Sequence, residues 1–292
     1  MLGRHIRAVL QEEGSEVLEV TRGVAGNRAK DWDLAEWRQP EELDSIFEGV
    51  QAIVHSGAMV QSMGPEDDAR MFNSNVRACV NLGVWASSRN VPIVHISSAV
   101  VYADPAMLDI SEDSTLGWSG LGGFYGLTKL LAEDALSHLK DKGLRCAVIR
   151  PSSLYGFGLP KGKLVMNLLE KSKAGAVIAL ERPVDDRIDL VHASDVAHAV
   201  AAVLRREAWG VFNIASGKLV TIAELAEACS LAAGAGSIIR TEGEASARPP
   251  QTRFALKTAR AQEQLGWQAQ CELKQGLQMM LDEQVIPAMA DH

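Results

Sequence analysis

Two apolar periods, one helical and one of β type, alternate along the first two thirds of the chain. Residues 3–14 read as an amphipathic helix: Ile6, Val9 and Leu10 share a face, charges occupy the other, and Gly14 ends it. A short β-type run follows at Glu16–Val20, then a helical stretch at Pro40–Phe47. Ala52–Val54 leads a buried strand into the small-residue turn His55-Ser56-Gly57-Ala58. Residues 67–89 carry a long helical pattern through Met71, Val76, Val80 and Val84. Val91–Ile96 is an apolar strand, Phe124–Leu139 a helix and Arg145–Ile149 a further strand. Strands alternating with helices predict the α/β class: a doubly wound parallel sheet with right-handed crossovers.

Beyond Pro151 the rhythm loosens. Glycines and prolines at 156–162 suggest a loop, followed by a helix near 163–173 and a strand at Val177–Leu180. Residues 188–192 read as a strand running into helix 194–205. Then come strand Val211–Ile214, helix Ile222–Ala233, an Arg/Pro-rich loop near 248–253, and helices at 257–265 and 273–284. The expected division is a sheet domain of residues 1–151 with about 188–205, and a smaller mixed α/β lobe of about 152–187 and 206–292. Such a lobe lies over the C-terminal edge of the sheet, where these folds bind ligands.

Composition narrows the function classes. The 292 residues suffice for one large α/β domain or two small ones, with 47% apolar residues and mean hydropathy near zero. No apolar run approaches the roughly 18 residues that span a bilayer. The N-terminus lacks the basic-then-apolar pattern of a signal peptide, so a cytoplasmic protein without a membrane partner is expected. Four cysteines (Cys79, Cys146, Cys229, Cys271) are scattered, which argues against a zinc ribbon or disulfide framework. The seven histidines form no H-x-H or H-x-x-x-H pair, so no metal site is expected. A net charge of -8 disfavours nucleic acid as a partner. It leaves room for an anionic small molecule held by backbone N–H groups.

The sharpest chemical feature is Tyr125-Gly-Leu-Thr-Lys129, with Ser97-Ser98 at the end of a predicted strand upstream. Residues at i and i+4 share one helix face, about 6 Å apart at Cβ. An ammonium beside a phenol stabilises phenolate and is expected to lower its pKa towards neutrality. A phenol so tuned can exchange a proton with a substrate hydroxyl while a hydride leaves the same carbon. Ser98 would hold the substrate oxygen in line. Tyr-x-x-x-Lys alone is a weak signal, equally compatible with a surface tyrosine and a solvated lysine.

Its setting adds weight, because the chain resembles the extended short-chain dehydrogenase/reductases, a family of nucleotide-sugar epimerases, dehydratases and ketoreductases. Gly3-Arg4-His5-Ile6 resembles the last glycine of that family's G-x-x-G-x-x-G turn, and Asp33-Leu34 its adenine-contacting pair. His55-Ser56-Gly57-Ala58 is similar to the family's H-x-A-A/G turn, and Asn75-Val76 to its helix asparagine. Ile96–Tyr102 resembles the serine-bearing strand end, and Tyr125/Lys129 the catalytic pair. Arg150–Gly156 is similar to the R-P-x-x-x-Y-G crossover, Asp189–His192 with Asp195-Val196 to D-F-V-H-x-x-D-V, and Leu265-Gly266-Trp267 to the closing L-G-W.

The resemblance implies a Rossmann-type sheet domain and a substrate lobe. It makes Ser98, Tyr125 and Lys129 the expected catalytic set. Gly3, Arg22, Asp33, Leu34, Ser56, Gly57, Ala58, Ser97, Tyr125, Lys129, Pro151 and Ser152 are the expected cofactor contacts, with Ser98, Ser153, Arg187 and Arg248 facing substrate. Asn75 is expected to act as a packing amide, His192 and Asp195 to fix a turn and cap the next helix, and Leu-Gly-Trp to pack the lobe. Family dehydratases place acids after the catalytic serine; Ala99 and Val100 stand there and cannot deliver a proton, which argues against dehydration.

Thr21-Arg22 closes the second predicted strand, where many NAD-using members carry an acid. Arginine suits a 2′-phosphate, so NADP is preferred over NAD. Arg187 stands one position early for a diphosphate-binding arginine, and Arg248 precedes Pro249-Pro250 in about the right place. The leading expectation is an epimerase or ketoreductase acting on a sugar, most plausibly nucleotide-linked. The alternatives are an NADP-dependent reductase of a steroid-like or aromatic ketone, and a non-catalytic dinucleotide-binding protein. The family commonly forms homodimers through the helices near 67–89 and 124–139.

A helix starting at residue 3 leaves no room before it for the strand that feeds such a helix. That strand would sit between the second and fourth in the order 3-2-1-4-5-6. Three or four buried apolar side chains on it would contribute on the order of 5–10 kcal/mol, comparable to the 5–15 kcal/mol stability of a typical domain. The expectation is that Met1 is internal to a longer natural chain, and that this 292-residue form folds poorly and binds dinucleotide weakly.

Overall fold

The computed structural model describes residues 1–23, 29–60, 64–118, 121–181, 183–234, 237–242 and 250–283. Its main sheet holds four parallel strands in the order Ile53–His55, Ile93–Ile96, Cys146–Pro151, Val211–Ile214. The two central strands are buried at every position, which is why they read as continuous apolar runs. Glu19–Thr21 pairs in parallel with Ala29–Asp31 as a separate two-stranded unit.

Helices cover both faces of the sheet. On one, helix Leu2–Glu12 buries Leu2, His5, Ile6 and Val9 against helix Ala193–Arg206. Gly14, at φ +85, gives the first helix the left-handed residue that ends it. The alanines of the 193–206 helix let it lie close on the sheet, and Ala261, Leu265 and Trp267 join the same core. On the opposite face Trp32, Leu43, Phe47, Trp85 and Leu136 pack together. The doubly wound arrangement is therefore present.

Some elements differ from the expected ones. The strand Val211–Ile214, assigned from sequence to the smaller lobe, instead extends the main sheet beside Cys146–Pro151. Its apolar residues are paired there and buried at 212–214. The Leu-Gly-Trp unit packs on this large core for the same reason. The long helical pattern at 67–89 resolves into Pro65–Phe72, a π-helical turn Asn73–Arg77, and Ala78–Arg89. The wide turn lets the Asn75 amide face inward: its Oδ1 accepts from Met59 N–H at 2.8 Å, and its Nδ2 donates to Met59 C=O at 2.8 Å and Thr128 Oγ1 at 2.9 Å.

The second lobe centres on Arg187–His192. Ser153–Tyr155 and Thr252–Arg253 run parallel to it, and Leu219–Thr221 antiparallel. Ile178–Glu181 pairs with Ile239–Glu242, and helices Leu164–Lys173, Ile222–Ala233 and Leu273–Leu281 enclose its core. Asp189 fastens the lobe to the end of the main sheet. Its carboxylate accepts from Ser152 Oγ at 3.0 Å, and from Ser216 N–H, Ser216 Oγ and Gly217 N–H, each at 2.9 Å. No helix among the described residues is long and apolar enough to cross a membrane.

Candidate active site

The strand Ile93–Ile96 ends in Ser97 and Ser98, and Ser98 Oγ accepts Val100 N–H at 3.4 Å to start the 3-10 turn Ala99–Val101. Facing it is helix Gly123–Lys140. Glycine allows that approach: a Cβ on Gly122 would lie 3.0 Å from Gly126 Cα and 3.1 Å from Val100 Cβ. The close contact brings the Tyr125 hydroxyl beside the Ser98 side chain. Lys129 is buried, with Nζ 5.8 Å from the Tyr125 ring centroid and donating to Ile96 C=O at 2.7 Å. Ser98, Tyr125 and Lys129 thus converge at the C-terminal end of a central strand.

The electrostatics depart from the sequence expectation. Burial pushes the Tyr125 phenol up to about 12, opposed by the Ser98 hydrogen bond. Lys129 does not pull it towards neutrality, because its ammonium is directed to the Ile96 carbonyl and both groups are desolvated. Burial in turn lowers Lys129 to about 8, against Cys79 and Glu133. The phenol is a proton donor at neutral pH in this arrangement.

Behind Lys129, His55, Cys79 and His95 come together from three elements, with potential ligand atoms all within 4.8 Å of one another. Sequence spacing hid this cluster. Burial and then Lys129 hold His55 down at about 3, and the same two causes, with His55, depress His95. The Lys129 ammonium opposes further positive charge there, so the cluster is read as an uncharged wall of the site.

The expected cofactor residues differ in exposure. Gly3 and Gly57 are exposed, while Leu34, Ser56 and Ala58 are half-buried. A Cβ on Gly3 would lie 3.3 Å from Ser56 Oγ, and one on Gly57 only 2.6 Å from Leu34 Cδ1. The lack of a side chain at these two positions lets Ser56 and Leu34 pack close to the backbone, beside a helix start without a side-chain cap. Asp33 is partly engaged: it accepts Ala35 N–H at 3.0 Å and pairs with Arg70 at 2.5 Å. Arg22 is exposed just after strand Glu19–Thr21, and Pro151 ends its strand buried. Two expected contacts turn inward instead. Ser97 Oγ donates to Glu133, and Ser152 Oγ to Asp189, because both serines sit on buried strand ends.

The substrate residues are more dispersed. Ser153 is half-buried in the strand paired with Leu190. Arg187 is exposed at the outer start of its strand, and Arg248 lies outside the described residues. His192 caps helix Ala193–Arg206, its Nδ1 accepting Ser194 N–H at 3.3 Å. Asp195, expected to act at that same turn, instead accepts the backbone N–H groups of Gln270 and Cys271 at 3.0 and 3.1 Å. Sequence reasoning missed Glu133, which follows Lys129 by another four residues on the same helix face; that i+4 spacing was the available signal.

A family model for the NAD dependent epimerase/dehydratase family matches residues 1–215. UDP-glucuronic acid decarboxylase 6 of Arabidopsis thaliana is 21% identical over 97% of this chain and 85% of its own length. A Streptomyces dTDP-4-dehydro-6-deoxy-D-allose reductase is 26% identical over 77% of this chain and 76% of its own. The structure of MoeE5 in complex with UDP-glucuronic acid and NAD superposes with a TM-score of 0.81 at 23% identity, covering 97% of this chain and 95% of that one, a likeness of fold. With the parallel sheet and the Ser98/Tyr125/Lys129 convergence, the match over residues 1–215 means that the chain belongs to the NAD dependent epimerase/dehydratase family.

Proposed function

We propose that the protein is an NAD(P)-dependent epimerase or ketoreductase acting on a hydroxyl or carbonyl carbon of a nucleotide-linked sugar. The observation that carries this reading is the juxtaposition of Ser98 and Tyr125 with buried Lys129 at the end of the 93–96 strand. Similarity to two relatives named for nucleotide-sugar substrates supports the substrate class.

A bound nicotinamide dinucleotide supplies the hydride acceptor or donor. Gly3, Leu34, Ser56, Gly57 and Ala58 are the residues that would hold it, and the guanidinium of exposed Arg22 would suit a 2′-phosphate, which favours NADP. Ser98 orients the substrate oxygen. Tyr125 gives a proton to that oxygen in reduction and takes one in oxidation. In oxidation it must act as phenolate, and the nearby Lys129 charge favours that form once the ammonium turns from Ile96. The lobe around Arg187–His192, with Ser153 and Arg187, selects the substrate.

The experiment supplies NAD+ or NADP+ with UDP- and dTDP-sugars and follows nicotinamide absorbance and sugar products. Tyr125→Phe is expected to abolish turnover while leaving the melting temperature near wild type. Undiminished turnover in that variant sinks the assignment. A melting temperature raised by UDP or dTDP supports the nucleotide-linked substrate over a steroid-like or aromatic ketone.

A further inference from the structure

Tyr125, Lys129 and Glu133 form one stripe along helix Gly123–Lys140, and each grips a different residue of one strand end. Tyr125 lies beside Ser98, Lys129 Nζ donates to Ile96 C=O, and the Glu133 carboxylate accepts from Ser97 Oγ. Glu133 is itself held from the next strand. Arg150 Nε lies 3.1 Å from both of its oxygens and Nη2 donates to Oε2 at 2.6 Å, with both side chains buried. The guanidinium is fixed in turn by Nη1, which donates to the Tyr102 hydroxyl and the Glu112 carbonyl, each at 3.1 Å.

We propose that Glu133 is a positioning residue of this site: braced by Arg150, its carboxylate holds the Ile96–Ser98 strand end in register with the Tyr125/Lys129 face of the helix. The inference rests on the reading of Ser98, Tyr125 and Lys129 as the reacting set. A carboxylate with two acceptor oxygens suits the task, since it receives a serine hydroxyl and a guanidinium fork together. No apolar residue could bridge the two strands and the helix in this way.

The same carboxylate supplies negative charge near Lys129. The groups facing that ammonium are His55, Cys79, His95, Tyr125 and Glu133, from two strands and two helices, while Cys146 and Arg150 lie beyond, next to Glu133. Near neutrality both histidines are uncharged and the cysteines are thiols, with Cys79 and Cys146 each pushed up to about 12. Tyr125 is a neutral phenol. After Cys79, the Glu133 carboxylate offsets the fall that burial imposes on Lys129.

The chain has only three tyrosines, so ring-labelled tyrosine NMR resolves Tyr125 by comparison with Tyr125→Phe. Labelled-lysine NMR assigns Lys129 by its loss in Lys129→Arg. Three variants are compared with wild type: Ser97→Ala, Glu133→Gln, and the double variant Glu133→Gln/Arg150→Met, which avoids leaving a buried guanidinium without a counterion. In Ser97→Ala and Glu133→Gln the Tyr125 titration is expected to move upward as Ser98 leaves register. In Glu133→Gln the Lys129 titration should fall below its wild-type value, and in the double variant, where anion and cation leave together, the Tyr125 titration should rise as in Glu133→Gln. With a turned-over nucleotide sugar, kcat should drop by about a hundredfold, the loss that a displacement of about 1 Å brings, with KM little changed.

Unchanged Tyr125 and Lys129 titrations in folded Glu133→Gln, with an unchanged Tyr125 titration in the double variant, overturn the proposal. If wild type turns over no sugar while the titrations shift as stated, the positioning role stands and the reading of the reaction fails.

Discussion

Removing the Asn75 amide should unfasten the loop at Met59 from helix Gly123–Lys140. Asn75 is 1% exposed and makes three hydrogen bonds, two to the Met59 backbone and one to Thr128 Oγ1. In Asn75→Ala, Thr128 stays satisfied, because its hydroxyl also donates to Tyr125 C=O at 2.8 Å. The Met59 N–H and C=O lose their partners. At about 1–1.5 kcal/mol for each lost bond and more where a group is left dry, the variant should lose about 2–4 kcal/mol. For a chain of this size that is a fall in Tm of roughly 5–10 °C. The local signature is sharper: the Met59 amide should exchange with solvent on the order of a hundredfold faster, at 1.4 kcal/mol per tenfold. Hydrogen exchange read at single-residue resolution, beside urea unfolding, measures both. A Tm unchanged from wild type together with unaltered Met59 exchange would refute the reasoning.

Other consequences follow from the polar groups the fold has buried. Asp189→Asn turns one acceptor oxygen into an N–H donor, so at least one of the four bonds from Ser152, Ser216 and Gly217 is lost. A loss of about 2 kcal/mol in urea unfolding is expected, a typical value for a hydrogen bond to a charged group; equal stability would contradict it. Acid should destabilise the protein well above the carboxylate range. Burial holds His55 at about 3 and His192 at about 4, so between 6.5 and those values the unfolded chain binds more protons and stability falls as pH falls. Each histidine contributes about 2 kcal/mol of loss between pH 6.5 and 5, at 1.36 kcal/mol per pH unit. Urea midpoints measured across that window check the slope, which should flatten in His55→Gln.

The alternation of periods in the sequence determines the α/β class and places nearly every long element, because burial of one face or both leaves its period in the chain. Helix Gly123–Lys140 and strands Ile93–Ile96 and Cys146–Pro151 were legible this way. The short strands Ala29–Asp31, Ser153–Tyr155, Leu219–Thr221, Ile239–Glu242 and Thr252–Arg253 were not, since they lack the continuous apolar run that marks Ile93–Ile96. Motif spacing also brought Ser98, Tyr125 and Lys129 forward, because Tyr125 and Lys129 share one helix face and Ser98 ends a strand.

Charge state and side-chain direction were decided only by tertiary structure. The same i, i+4 spacing that suggested a lysine-tuned phenol is compatible with an ammonium turned to Ile96 C=O, and only packing selects between the two. Desolvation, which raises Tyr125 and lowers Lys129, depends on everything around them and has no local sequence signature. Ser97 and Ser152 were read as facing a ligand, yet Glu133 and Asp189 draw them inward from elements distant in the chain. His55, Cys79 and His95 likewise meet only because parallel pairing and helix packing superpose three separate segments. Local pattern specifies which surfaces must be buried; the partners met on burial follow from how those surfaces are stacked.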